Sequence, residues 1–157
     1  MKVSRGKQFE EQVALGFSKI PNTNILRLYD NMGGYVNVSN PCDFIAYHYP
    51  HQFCLECKSV HGNTLNFKSD IRVNQWDGLL QLSETDGIIA GYLVWFIDLD
   101  LTVFVMAKDL KKLRDEGHKS LSISNLPRSA IVIKGHKRRI LFDYDFTDFI
   151  IKTCGNL

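Results

Sequence analysis

Asp43, Glu56-Cys57-Lys58 and Gln75 bring two carboxylates, an amine and an amide into one stretch of chain. Those types in that order suit a metal-dependent nuclease: carboxylates hold a hard divalent cation, and an amine steadies water and phosphate charge. Residues 42 to 48 and 52 to 59 are short apolar runs separated by Tyr49-Pro50-His51, the pattern of a β-hairpin. A turn centred between Tyr49 and Pro50 sets Asp43 opposite Glu56, with Cβ atoms roughly 4.5 to 5.5 Å apart. Strand alternation puts Glu56 and Lys58 on one face. Opposed carboxylates repel, and a bound divalent cation compensates both, with Lys58 adding positive charge beside it. The plainer alternative is a solvated edge hairpin. Against it, Phe44, Ile45, Phe53 and Leu55 are apolar and a long apolar run follows at 87 to 97, so the hairpin reads as central.

The chain around this set has 157 residues, 45% of them hydrophobic, and reads as one domain over 1–157. A net charge of +2 does not announce a polyanionic partner, so nucleic-acid contacts must come from local patches. No apolar run is long enough to span a bilayer, and the N-terminus lacks the apolar segment of a secretory signal, which makes the cytoplasm the expected compartment. Cysteines 42, 54, 57 and 154 suit free thiols in a reducing compartment. Cys54 and Cys57 are three apart on a strand, point to opposite faces and cannot grip one zinc together.

The elements that must position the set follow from periodicity. The spacing predicts a helix over 5 to 20, with Phe9, Val13, Phe17 and Ile20 on one stripe, and a strand over 25 to 29. Residues 31 to 40, with Gly33-Gly34, read as a loop or loose hairpin, and residues 60 to 71 as a polar loop. A helix over 72 to 84, with Val73, Trp76, Leu79 and Leu80 inward, puts Gln75 near its start at the hairpin's open end. A hairpin over 87 to 97 and 101 to 106, a charged helix over 108 to 116, strands over 130 to 134 and 139 to 143 and a closing helix over 145 to 153 complete the chain. The expected class is α/β, a mixed central sheet flanked by helices. Trp76 and Trp95 are read as packing residues.

Arg5-Gly6-x-x-Phe9-Glu10-Glu11, the Asp43, Glu56-x-Lys58 and Gln75 series, and the apolar strand after the Gln75 helix together resemble the RecU family of Holliday-junction resolvases, within the PD-(D/E)xK nucleases. The resemblance covers most of the chain and is strongest over 43 to 107. It implies a restriction-endonuclease-like fold, a homodimer that nicks two strands symmetrically, and branched four-way DNA as substrate. It further implies Mg2+, with Mn2+ as a substitute, held by Asp43 and Glu56, Lys58 assisting the attacking water, and Gln75 supporting the site. Two features differ from the family: its extended stalk before the catalytic aspartate is matched only by residues 30 to 40, and Pro41 stands where a hydroxyl residue is frequent. A compact chain of this kind suits a bacterial or phage-infected cell.

Glu10, early in the first helix, is a fifth catalytic candidate, with a helix-dipole role as its alternative. Lys134-Gly135-His136-Lys137-Arg138-Arg139 reads as a basic turn between strands. Lys134, Lys137, Arg138 and Arg139 are therefore candidate phosphate contacts, together with Arg5, Lys7, Lys68 and Arg72 nearer the expected site. The helix face of Lys111, Lys112, Arg114, Asp115 and Glu116 mixes signs and reads as solvated. Three functions are consistent with these residues: a junction resolvase, a related restriction or repair nuclease, and a silent DNA-binding module on the same fold. The intact Asp43, Glu56 and Lys58 set disfavours the third.

Overall fold

Two segments buried on both faces, Phe53 to Cys57 and Ala90 to Phe96, require neighbours on every side, which is the situation of adjacent strands inside a covered sheet. The computed structural model describes residues 3–29 and 39–155. The loop expected at 31 to 40 lies outside them except for Ser39 and Asn40.

In chain order the elements are α1 (Arg5–Ser18), β1 (Thr23–Arg27), β2 (Phe44–His48), β3 (His51–Val60), β4 (Thr64–Asn66), α2 (Val73–Leu82) and β5 (Ile88–Phe96). There follow β6 (Leu101–Met106), α3 (Ala107–Asp115), β7 (Ser120–Ser122), β8 (Ile131–Val132), β9 (Lys134–Arg138), β10 (Leu141–Asp145) and α4 (Thr147–Cys154). The main sheet runs β1-β2-β3-β5-β6-β8, with β4-β7 and β9-β10 as separate ribbons. Only β3 and β5 are parallel, joined by a crossover through α2; the other neighbours in this sheet are antiparallel. The hairpin adopts the expected register, Phe44 opposite Leu55 and His48 opposite His51.

Period-two alternation divides the core. Phe53, Leu55, Leu93 and Trp95 point to α1 and α4, where they meet Phe9, Val13, Phe17 and Phe149. Cys54, Tyr92, Val94 and Phe96 point to α2 and α3, against Trp76, Leu79, Leu110 and Leu113. The Ser4 hydroxyl caps α1 by accepting the Lys7 N–H at 3.3 Å. No helix among the described residues is long and apolar enough to cross a membrane.

Several expectations change. The presumed polar loop at 60 to 71 contains β4, whose Leu65 is fully buried and pairs with Leu121; three residues are too few to show a period. Val73, expected inward, is 77% exposed, because it lies on the wall of an open cleft with Ile71 and Trp76. The presumed basic turn is the strand β9, exposed along its length. Its partner β10 supplies the apolar residues that the strand lacks, Phe142 opposite Lys137 and Tyr144 opposite Gly135. The chain turns only at Arg139 and Ile140, with Arg139 at φ 57°, so the following strand starts at Leu141 and not at residue 139. The first strand begins two residues earlier than expected and ends at Arg27.

One close approach ties the crossover helix to the strand entering the hairpin. A Cβ built on Gly78 of α2 would lie 2.6 Å from Pro41 Cβ, so only glycine lets α2 dock there. Gly78→Ala should therefore destabilise the protein by about 1 to 3 kcal/mol of overpacking, in spite of alanine's better helix propensity. Thermal unfolding of the variant checks this, and a Tm at or above that of the unmodified chain would refute the contact.

Candidate active site

Asp43 stands just before β2, yet its backbone continues the ladder: its N–H donates to Leu55 O at 3.0 Å, and its carbonyl accepts the Leu28 N–H at 2.8 Å. Its Oδ2 accepts the Cys57 N–H at 2.8 Å. The side chain is thereby aimed across the hairpin, toward Glu56.

Glu56 lies on β3 beside Tyr92 of β5 and is only 2% exposed. Its Oε1 accepts the Gln75 Nε2 at 2.6 Å and faces Lys58 Nζ at 3.1 Å. Gln75 sits in the first turn of α2, where its Oε1 accepts the Lys58 ammonium at 2.9 Å and the Arg72 N–H at 3.3 Å. One amide thus links the lysine, the glutamate and the helix start. Glu56 Oε2 is buried with no hydrogen-bond partner among the described residues.

From the first helix, Glu10 reaches the same small cleft and is paired there with Arg27 of β1. The cleft, about 190 Å³, is lined by Glu10, Arg27, Asp43, Glu56, Arg72 and Gln75, with Tyr29, Ser39 and Asn40 at its mouth. Three carboxyls share this confined space, and all three are pushed upward. Burial chiefly, and then the Asp43 charge, raise Glu56 to about 8 against the pull of Lys58. Burial raises Asp43, opposed by the Cys57 N–H and by Lys58. Burial followed by Asp43 raises Glu10, opposed by Arg27.

Buried carboxyls that disfavour each other's charge, and that can hydrogen-bond to each other only by keeping a proton, form the environment that a cation relieves. The donor set fits a hard divalent ion. Among the described residues no three His, Cys, Asp or Glu side chains form a metal-holding group. Two carboxylates, the remaining positions filled by water and phosphate, are the habit of magnesium.

Of the candidates expected from sequence, Asp43, Glu56, Lys58, Gln75 and Glu10 converge here, and Arg72 lines the cleft. Arg5 and Lys7 lie in the first turn of α1, with Arg5 bonded to Gln8 at 2.9 Å; Lys68 is exposed near β4. The basic strand β9 is elsewhere. Its ribbon packs on the α1 face, and Lys134, Lys137 and Arg138 pair with Asp148, Asp100 and Asp143. Arg27 was not expected: a lone arginine on an edge strand carries no pattern, and only the meeting of α1 with β1 gives it a partner.

The family model for Recombination protein U matches residues 5–148. Among solved structures, that of Archaeoglobus fulgidus Hjc, described as a Holliday junction resolvase from an archaeal hyperthermophile, is similar with a TM-score of 0.55 and 18% identity, covering 76% of this chain and 89% of that chain. The fold is accordingly restriction-endonuclease-like, as the resemblance implied. No curated protein matches the chain.

The raised carboxyls give the metal-free protein a definite pH dependence. Glu56 titrates at about 8 when folded, against an ordinary 4.5, so between those values the folded state keeps a proton that the unfolded state has released. Stability must then fall as pH rises through that window, and Asp43 and Glu10 act in the same direction. In EDTA, Tm should be several degrees lower at about pH 8 than at about pH 5.5, Glu56→Gln should flatten the difference, and Mg2+ should restore stability at the higher pH. A Tm in EDTA that climbs steadily to pH 8 would refute it.

Proposed function

The chain belongs to the Recombination protein U family of Holliday-junction resolvases, and from that premise we propose that the Asp43, Glu56, Lys58 and Gln75 cleft cuts four-way DNA junctions with magnesium. The observation that carries the reading is the buried Glu56 carboxyl facing Asp43, a pair that can hydrogen-bond only while a proton is kept between them, beside an ammonium already positioned by Gln75.

Asp43 and Glu56 would hold the cation, and manganese, with similar ligand preferences, can stand in. An ion held there would supply charge neutralisation at the scissile phosphate and Lewis-acid activation of water. Lys58, fixed between Glu56 and Gln75, has one N–H left, which donates to the attacking water or to a phosphate oxygen as negative charge builds up there. Gln75 keeps that ammonium in place and ties Glu56 to α2. Glu10, held by Arg27, adds negative charge at the cleft wall. Arg72 lines the cleft and Lys7 acts on Glu10 from the first turn of α1; with Arg5 they would meet the DNA backbone. The compartment that fits this work is the cytoplasm.

Resolution takes two cuts related by a two-fold axis, and one cleft per chain makes a C2 homodimer the economical assembly. Sedimentation of the protein on a four-way junction should give two chains per junction. An active species that stays monomeric at all working concentrations would overturn the paired arrangement.

With Mg2+, the protein should cut a four-way junction in preference to linear duplex of the same sequence. Asp43→Asn, Glu56→Gln and Lys58→Ala should each lower cleavage by about 100-fold or more while the variants stay folded. Full activity in any of the three would remove that residue from the chemistry, and equal cleavage of duplex and junction would assign the cleft to another nuclease class.

A further inference from the structure

A second and larger cleft, about 620 Å³, opens on the other side of the first turn of α2. Its floor is apolar and aromatic: Phe67, Ile71 and Trp76 are buried, with the Phe67 and Trp76 rings 5.6 Å apart. Its rim is cationic. Lys68, Arg114 and Lys119 line it against one acid, Asp77, and none of the three makes an ion pair among the described residues. That distinguishes them from the β9 cations, which are engaged with aspartates. The Arg114 guanidinium lies over the indole of Trp76, 4.3 Å from the ring centroid, and presents a flat charged surface at the cleft wall.

Arg72 and Gln75 face the candidate active site, whereas Val73 and Trp76 face this cleft, so a strand leaving one reaches the other across a single helical turn. Val73, 77% exposed against the helical period, stands at the crossing. The volume falls within the range of roughly 300 to 1,000 Å³ typical of small-ligand sites. Phosphate contacts alone would occupy the rim and leave the apolar lining of Ile71, Val73 and Trp76 uncovered. A protein partner's apolar side chain would have to be buried among three fixed charges. A nucleotide meets both parts, its base against the flat apolar and guanidinium surfaces and its phosphates on the rim.

We propose that this cleft takes an unstacked nucleotide of the DNA strand running past Asp43 and Glu56, which would favour DNA whose bases are already free to leave the stack, as at a branch point. The proposal rests on the nuclease reading of the neighbouring site.

The test uses the full chain carrying Asp43→Asn, so that the junction is bound and not cut, and a four-way junction with 2-aminopurine next to the scissile phosphate. Binding should brighten the probe as it leaves the stack. Adding Lys68→Ala, Val73→Ser and Lys119→Ala, all exposed positions, should abolish the brightening and weaken affinity roughly tenfold. It should also flatten the log–log salt dependence by about 0.7 to 0.9 per lost cation. Unchanged brightening, affinity and salt slope in that variant would overturn the inference, as would a flattened slope with a probe that never brightens, which would leave only phosphate contacts. Either result leaves the nuclease reading standing provided the chain without substitutions cuts the junction. Failure of that unsubstituted chain to bind or cut it would overturn both.

Discussion

Burying the Glu56 carboxyl beside Tyr92 on an inner strand removes several kcal/mol of hydration from its charged form. What surrounds it answers that deficit. Lys58 supplies charge on the same strand face, Gln75 supplies a donor from the crossover helix, and one oxygen is left without a partner. A surface glutamate would need none of this and would offer a cation little beyond what water offers. Desolvation disfavours the charged carboxyls on their own, and the same desolvation would strengthen their hold on the proposed divalent ion.

The compensation works only if α2 is held close, and its docking is set by packing. Gly78 lets the helix touch Pro41, which immediately precedes Cys42 and Asp43. Pro41 therefore has a mechanical part here: it is a surface against which the helix bearing Gln75 rests. The aspartate and the glutamine, far apart in sequence, are kept in register by a contact without charges.

The two faces of the sheet divide the work. On the α1 and α4 side a dense aromatic cluster, with Phe17 and Phe146 centroids 4.2 Å apart, seals the sheet and contains few polar groups. Both clefts flank α2, the first of them reaching round to Glu10 of α1 and Arg27 of β1. Rigid packing on one face suits a site whose groups must be preorganised. Lys134, Lys137 and Arg138 of β9 are paired with aspartates on that face, whereas Lys68, Arg114 and Lys119 beside α2 make no ion pair among the described residues.

Local pattern by itself determined much of this protein. Alternation in the two runs around Tyr49-Pro50 set the hairpin register, and with it the opposition of Asp43 and Glu56, because a period of two leaves a strand no other way to bury Phe44, Phe53 and Leu55. Helical spacing located α1 and α2, and so Glu10 and Gln75. Other features had no local signal. β4 is too short to display a period, β9 is built of residues that avoid strands until β10 offers them a partner, and Val73 follows the helical stripe yet is exposed at the wall of an open cleft. The Glu10 and Arg27 pair, the Gln75 bridge and the second cleft depend on elements distant in the chain. Sequence determined which groups share a face; only tertiary packing decided which faces meet and which charges remain unpaired, because burial and charge pairing are properties of the assembled surfaces and of no single segment.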